Sequence, residues 1–213
     1  MSAPRAVQHL TAPPSPDELR GRFPVRTVSA GTVLYRTHRD GLGAWWFGSS
    51  LQGRFDLTDP HGTCYTAESE LITLLECWVG IKYIPRTEID DRALSAVTVR
   101  RDLQLADVTS NRAIEFGMTS EINTTVDYTL TQRWAEAFRA AGFDGIRYWA
   151  RHEMSHTEAC LALFAEGGDR THSTARPSDY AVTTADALAD RDDLWTALER
   201  ETGIQILDIP GTL

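Results

Sequence analysis

Two arginines, a tyrosine and a glutamate follow one another early in this chain: Arg36, Arg54, Tyr65 and Glu76. Guanidinium forks bind phosphates in bidentate fashion. A phenol ring stacks on a base or bonds a sugar hydroxyl, and a carboxylate can stabilise a positively charged sugar. Together these types suit an anionic, sugar-containing ligand. Each also has a plainer reading. An arginine in a strand beside aromatics can serve a structural ion pair, a strand tyrosine can be core, and a helix glutamate can be solvated. Singly those readings win; the four in this order favour binding.

Four neighbouring elements must carry them. Residues 31–38 are β-like, with Val33, Leu34 and Tyr35 leading into Arg36. A loop over 41–53 follows and contains Trp45-Trp46-Phe47, a cluster expected to plug the core rather than to wall a ligand site. Residues 62–67 read as a short strand bearing Tyr65. A helix then starts at Ser69, a good N-cap, with Leu71, Leu74, Leu75 and Trp78 as its buried stripe. Glu76 lies off that stripe, on the flank shared with Ser69 and Thr73, at the rim of a cleft.

The rest of the chain supplies the frame. Residues 1–24 form an irregular, proline-punctuated leader with one helical turn over 17–22, and 25–213 read as a single domain. Strands are expected over 96–99 and 103–105, around an exposed turn at Arg100-Arg101. A helix over 131–141 ends at Gly142, and a turn leads into a strand by Trp149. The apolar run 159–165 is a buried strand. Residues 167–180 are loop-like, 192–202 is a helix stopped by Gly203, and 204–209 adds a last strand. This order lacks regular βαβ alternation. It points to α+β, with a twisted, largely antiparallel sheet and flanking helices. Neither GxGxxG nor GxxxxGK[ST] occurs, so a dinucleotide would not be held in the Rossmann manner.

Composition narrows the class. The chain has 213 residues, 42% hydrophobic and 24% charged, enough for a sizeable core. A formal charge of −9 argues against a generic nucleic-acid binder. Cys64, Cys77 and Cys160 contain no CxxC pair, and HExxH is absent, so no metal site is expected. Sparse, odd-numbered cysteines suit a reducing compartment. No apolar run resembles a signal peptide or a membrane span, and a cytoplasmic location is expected.

The order Leu34-Tyr35-Arg36, Gly53-Arg54-Phe55-Asp56, Gly62-Thr63-Cys64-Tyr65-Thr66-Ala67, Leu74-Leu75-Glu76 resembles the RES domain, named for an arginine, a glutamate and a serine. The likeness runs from about Gly31 to Phe164 and includes Gly142-Phe143-Asp144-Gly145-Ile146-Arg147-Tyr148 and Leu161-Ala162-Leu163-Phe164. It implies a fold similar to ADP-ribosyltransferase toxins and a toxin paired with an Xre-type antitoxin. It implies NAD+ as substrate rather than cofactor, cleaved at the nicotinamide–ribose bond with phosphate or water as acceptor. Some members instead transfer ADP-ribose to a protein. Carried over by motif, Arg36, Arg54, Tyr65 and Glu76 line the NAD+ pocket, with Glu76, Arg36 and Tyr65 in the catalytic roles.

One position departs from the family. Its serine usually follows the late-strand tyrosine by two places, and here Ala150 stands there, unable to hydrogen-bond through its side chain. Arg151, His152 or Ser155 could take over, a subfamily could bind the ligand differently, or this copy could bind NAD+ or a partner without turnover. His152, next to that position, is a candidate at the edge of the NAD+ site. Arg151 or Arg147 would be the candidate anion site for an acceptor phosphate.

Overall fold

The computed structural model describes residues 8–78, 80–171 and 179–207. In chain order the strands are β1 (Val25–Val28), β2 (Val33–Arg39), β3 (Trp46–Phe47), β4 (His61–Ala67), β5 (Tyr83–Pro85), β6 (Arg92–Val99), β7 (Leu103–Asp107), β8 (Gly145–Trp149), β9 (Ala159–Glu166), β10 (Gly168–Asp169), β11 (Tyr180–Ala187) and β12 (Gln205–Leu207). The helices are α1 (Pro16–Leu19), α2 (Glu70–Cys77), α3 (Arg86–Asp90), α4 (Glu121–Thr124), α5 (Tyr128–Ala141) and α6 (Asp192–Thr202). Eight strands form one sheet in the order β1-β7-β8-β9-β4-β2-β6-β11. Neighbours are antiparallel except β7 and β8, which are parallel. That parallel step needs a crossover, and α4 and α5 lie within it. The architecture is the expected α+β sheet with flanking helices.

The sheet has two halves joined at one point. β4 and β9 pair continuously from His61↔Glu166 to Ala67↔Cys160. β2 and β6 pair continuously from Val33↔Thr98 to Arg39↔Arg92. Between the halves, β2 and β4 share only Tyr35↔Ala67. The ladder therefore parts where Arg36 and Thr37 would otherwise meet Thr66 and Tyr65.

Each face of the sheet has its own core. On one face α2, α5 and α6 pack Leu74, Trp78, Trp134, Phe138 and Leu198 against Ile146 and Ala162. Leu10, Leu19 and Phe23, from the expected leader, join this core. On the other face Leu34, Cys64, Val97 and Leu163 pack under Trp45, Phe47 and Tyr180.

Several expected elements differ in extent. β11 begins inside the expected loop and runs to Ala187, with most of its residues solvent-exposed. Such an edge strand carries no buried stripe to mark it. β12 spans Gln205–Leu207 beside β5, and positions 208–209 of the expected last strand lie outside the described residues. So do residues 1–7 of the leader and 172–178 of the loop.

Candidate active site

The parting of β2 and β4 opens a cleft of about 390 Å3, within the usual size of small-molecule sites. Arg36, Arg54, Tyr65 and Glu76 all line it. Arg151, Tyr128 and Tyr148 add a third guanidinium group and two more rings, and Thr66, Ala67 and Cys160 lie among the sheet residues that bound it.

Glu76 is presented by α2. Ser69 caps that helix by accepting the Ile72 N–H, and Ile72, Leu74 and Leu75 bury its inner side. Thr73 bonds Thr37 through their hydroxyls at 2.7 Å, tying the helix to β2. Glu76 Oε2 then accepts from the Tyr148 hydroxyl at 3.1 Å. Burial raises the Glu76 carboxyl above its usual range; the Tyr148 hydroxyl, the Arg151 backbone N–H and the Arg54 charge oppose that rise. The same burial, with the Glu76 charge beside it, keeps Tyr148 protonated and donating.

The arginines are held differently. Arg36 Nη1 donates to the carbonyls of Ala44 at 2.7 Å and Trp46 at 2.9 Å and lies 2.7 Å from Cys64 Sγ. It thus pins the tryptophan loop while facing the cleft. Arg54 Nη1 donates to the Thr125 carbonyl at 2.6 Å, and its guanidinium lies 5.0 Å from the Tyr128 ring centroid. The loop bearing Arg54 is anchored by α5: Thr131 Oγ1 donates to the Arg54 carbonyl, and Gln132 Nε2 donates to the Gly53 carbonyl at 2.9 Å.

Tyr65 braces that loop as well. Its hydroxyl accepts from the Phe55 N–H at 2.8 Å and donates to Asp56 Oδ1 at 2.9 Å. Burial, with the Asp56 charge, raises this phenol well above its ordinary value, so it stays protonated. Gly53 is required here. A Cβ at that position would collide with the Asp56 carboxylate and sit 2.6 Å from the Tyr65 hydroxyl.

Around the departed serine position, Ala150 is buried and lines a second cavity rather than this cleft. Of the side chains near it, Arg151 reaches the cleft, whereas His152 and Ser155 are exposed and do not line it. Partial burial, then the charges of Arg151 and Arg54, lower the His152 pKa. Arg147 is engaged elsewhere, 3.3 Å from Glu68 and 2.7 Å from the Thr109 hydroxyl. Trp45 and Phe47 are buried in the second core, as expected of a plug, but Trp46 between them is 39% exposed and does not plug the core. No motif or spacing pointed to Tyr128, which the first turn of α5 delivers. Tyr148 had a signal, two places before Ala150 in the late motif, but its bond to Glu76 is a tertiary fact.

Fold and site define an α+β protein whose parted antiparallel sheet holds an arginine-lined cleft around one carboxylate. The chain belongs to the RES domain family, whose model matches residues 33–190. Among solved structures it is similar to a chain of the M. tuberculosis MbcT–MbcA toxin–antitoxin complex, at 16% identity and a TM-score of 0.60, covering 79% of this chain and 91% of that one. A comparison with curated proteins finds no match. No helix among the described residues is long and apolar enough to cross a membrane.

Proposed function

We propose that this chain is a RES-type toxin that consumes NAD+ in the cytoplasm, cleaving the nicotinamide–ribose bond and passing ADP-ribose to inorganic phosphate or water. One observation carries the reading: a single cleft gathers Arg36, Arg54 and Arg151 around the half-buried Glu76. Arg36 and Arg54 hold the diphosphate with Arg151 beside them, and Tyr65 keeps the Arg54 loop in place. The C1′–N bond of the ribose breaks, and its electron pair leaves on the ring nitrogen as neutral nicotinamide. No strong general acid is needed. The developing oxocarbenium is stabilised by the Glu76 carboxylate, oriented by Tyr148. An oxygen of phosphate or water then bonds to C1′, and a water nucleophile loses its proton to bulk water. NAD+ is the substrate and no resident cofactor takes part.

A toxin of this kind needs its cleft blocked in the producing cell. The family resemblance and the toxin–antitoxin neighbour favour an Xre-type antitoxin with a segment inserted near Arg36 and Arg54. The deciding experiment incubates purified protein with NAD+, with and without phosphate, and follows products by mass spectrometry. Phosphorylated ADP-ribose marks phosphorolysis and free ADP-ribose marks hydrolysis. Labelled protein would replace both with ADP-ribosyl transfer, and intact, bound NAD+ would replace them with a non-catalytic binding domain.

A further inference from the structure

Three tyrosine rings line the cleft, and they are not equally engaged. The Tyr65 hydroxyl is shared between the Phe55 N–H and Asp56, and the Tyr148 hydroxyl is on Glu76. Burial first, then neighbouring charges with Glu76 among them, raises both phenols above their ordinary value, so these two rings stand with Glu76. Tyr128 differs. It is half-buried, on the first turn of α5, and the Arg54 guanidinium lies over its ring at 5.0 Å from the centroid. Among the described residues its hydroxyl has no hydrogen-bond partner and its ring meets no other ring. Its backbone is nonetheless fixed. Asp127 caps α5 by accepting the Thr129 N–H at 3.1 Å. Thr131 Oγ1 shares its hydrogen between the carbonyls of Tyr128, at 3.1 Å, and Arg54. The cleft thus holds one placed ring that no protein group completes.

We infer that Tyr128 is a base-stacking residue of the cleft, and that the base is the adenine of the dinucleotide. This rests on reading the cleft as an NAD+ site. Nicotinamide is bonded to the ribose carbon that Glu76 stabilises, so that ring belongs with Glu76, Tyr65 and Tyr148. It also carries a positive charge until its bond breaks, and a second cation beside the Arg54 guanidinium would be repelled. Adenine is neutral, lies beyond the diphosphate, and presents a broad π-face. Arg54 joins the two parts: its fork takes the diphosphate while its guanidinium lies over Tyr128. A purine laid on the other face of that ring completes a stack of guanidinium, phenol and base.

The test uses the full chain with Tyr128→Leu and Tyr128→Phe, and titrates ADP, inorganic pyrophosphate and nicotinamide mononucleotide separately by calorimetry. Tyr128→Leu should bind ADP roughly tenfold more weakly while pyrophosphate and nicotinamide mononucleotide stay within twofold of the unaltered protein. Pyrophosphate reads the arginines without a base, so it separates stacking from a role of Tyr128 in holding Arg54. Tyr128→Phe keeps the ring and should bind ADP within twofold. Should the leucine variant fail to fold, Tyr128→Ala gives the same readout without a bulky side chain. Unchanged ADP affinity in the leucine or alanine variant overturns the assignment. So do an equal loss for pyrophosphate, a loss confined to nicotinamide mononucleotide, or a phenylalanine variant as weak as the leucine one. An unaltered protein that takes up nicotinamide mononucleotide but no ADP overturns it too. One that binds neither overturns the NAD+ reading itself, and the role of Tyr128 falls with it.

Discussion

Glu76 concentrates the chemistry of this molecule in one carboxyl, and its surroundings set when that carboxyl is charged. Burial raises its pKa and is only partly offset by Tyr148, the Arg151 backbone and Arg54. The reaction needs the charged form. The acid limb of the pH–rate profile for NAD+ cleavage should therefore lie above the usual glutamate value of about 4.3; a limb at or below that value would remove Glu76 from the charged role. Stability has the opposite sign. A folded pKa above the unfolded one means that the native state holds the proton longer, so stability falls as pH rises from the unfolded value through the folded one, and the loss persists above. Glu76→Gln should cut turnover by roughly 100-fold or more yet melt no lower than the unaltered protein at pH 7, with any advantage vanishing in acid. Arg54 is the complementary case. Lysine keeps the charge but loses the fork and the stack on Tyr128. Arg54→Lys should raise KM for NAD+ roughly tenfold with a melt close to the original. Equal KM values would move the diphosphate away from Arg54.

The elements work by holding short loops still. The turn from Gly53 to Asp56 has no regular structure of its own; Tyr65, Thr131 and Gln132 clamp it from β4 and α5. Gly53→Ala should break this clamp, because its new methyl meets Asp56 and Tyr65. Expected are a melting temperature lower by several degrees, for a cost of about 1–3 kcal/mol, and a KM defect like that of Arg54→Lys; a variant with native kinetics would show that the turn need not be rigid. The same clamps explain what could be read from the chain beforehand. α5 and α6 were legible because each has an amphipathic stripe and a glycine stop, and Gly142 and Gly203 both adopt left-handed backbone. β4 and β9 were legible as compact β-like runs. β11 was not, since its mostly exposed edge residues look like a loop. β1, just after the proline-rich leader, was not read as a strand, because only Val28 of its four residues is buried. In the site, Arg36, Arg54, Tyr65 and Glu76 were readable as a set from residue type and order. The double duty of Arg36 and Tyr65 and the Tyr148–Glu76 bond depend on where two strands part, which no local pattern encodes.

At the scale of the whole molecule, the site is braced from beyond the segment that defines the family. The match to the family ends at residue 190, yet α6 lies past it and packs on α2, the helix that presents Glu76. Trp195 meets Trp78 edge-on with ring centroids 5.5 Å apart. Arg191 forks onto the Glu70 carboxylate, at 3.2 Å from Nη1 to Oε1 and 2.8 Å from Nη2 to Oε2. Leu194 and Leu198 complete the seam and are buried in the main core. These contacts link positions more than 100 residues apart in sequence, from Glu70 to Arg191. Without them, α2 would expose Trp78 and lose one side of its support, and Glu76 would lose its fixed approach to Tyr148. Removal of residues 191–213 should therefore lower the melting temperature by about 10 °C or more, from the loss of one large aromatic and its neighbours, and should abolish NAD+ turnover although no cleft residue is deleted. Trp195→Ala should reproduce the thermal effect, at about 3–5 kcal/mol, with a partial loss of turnover. Circular dichroism melts and the product assay on the same preparations check both. A truncated protein that melts and turns over like the full chain would show that α6 is an appendage and that α2 is held by the sheet alone.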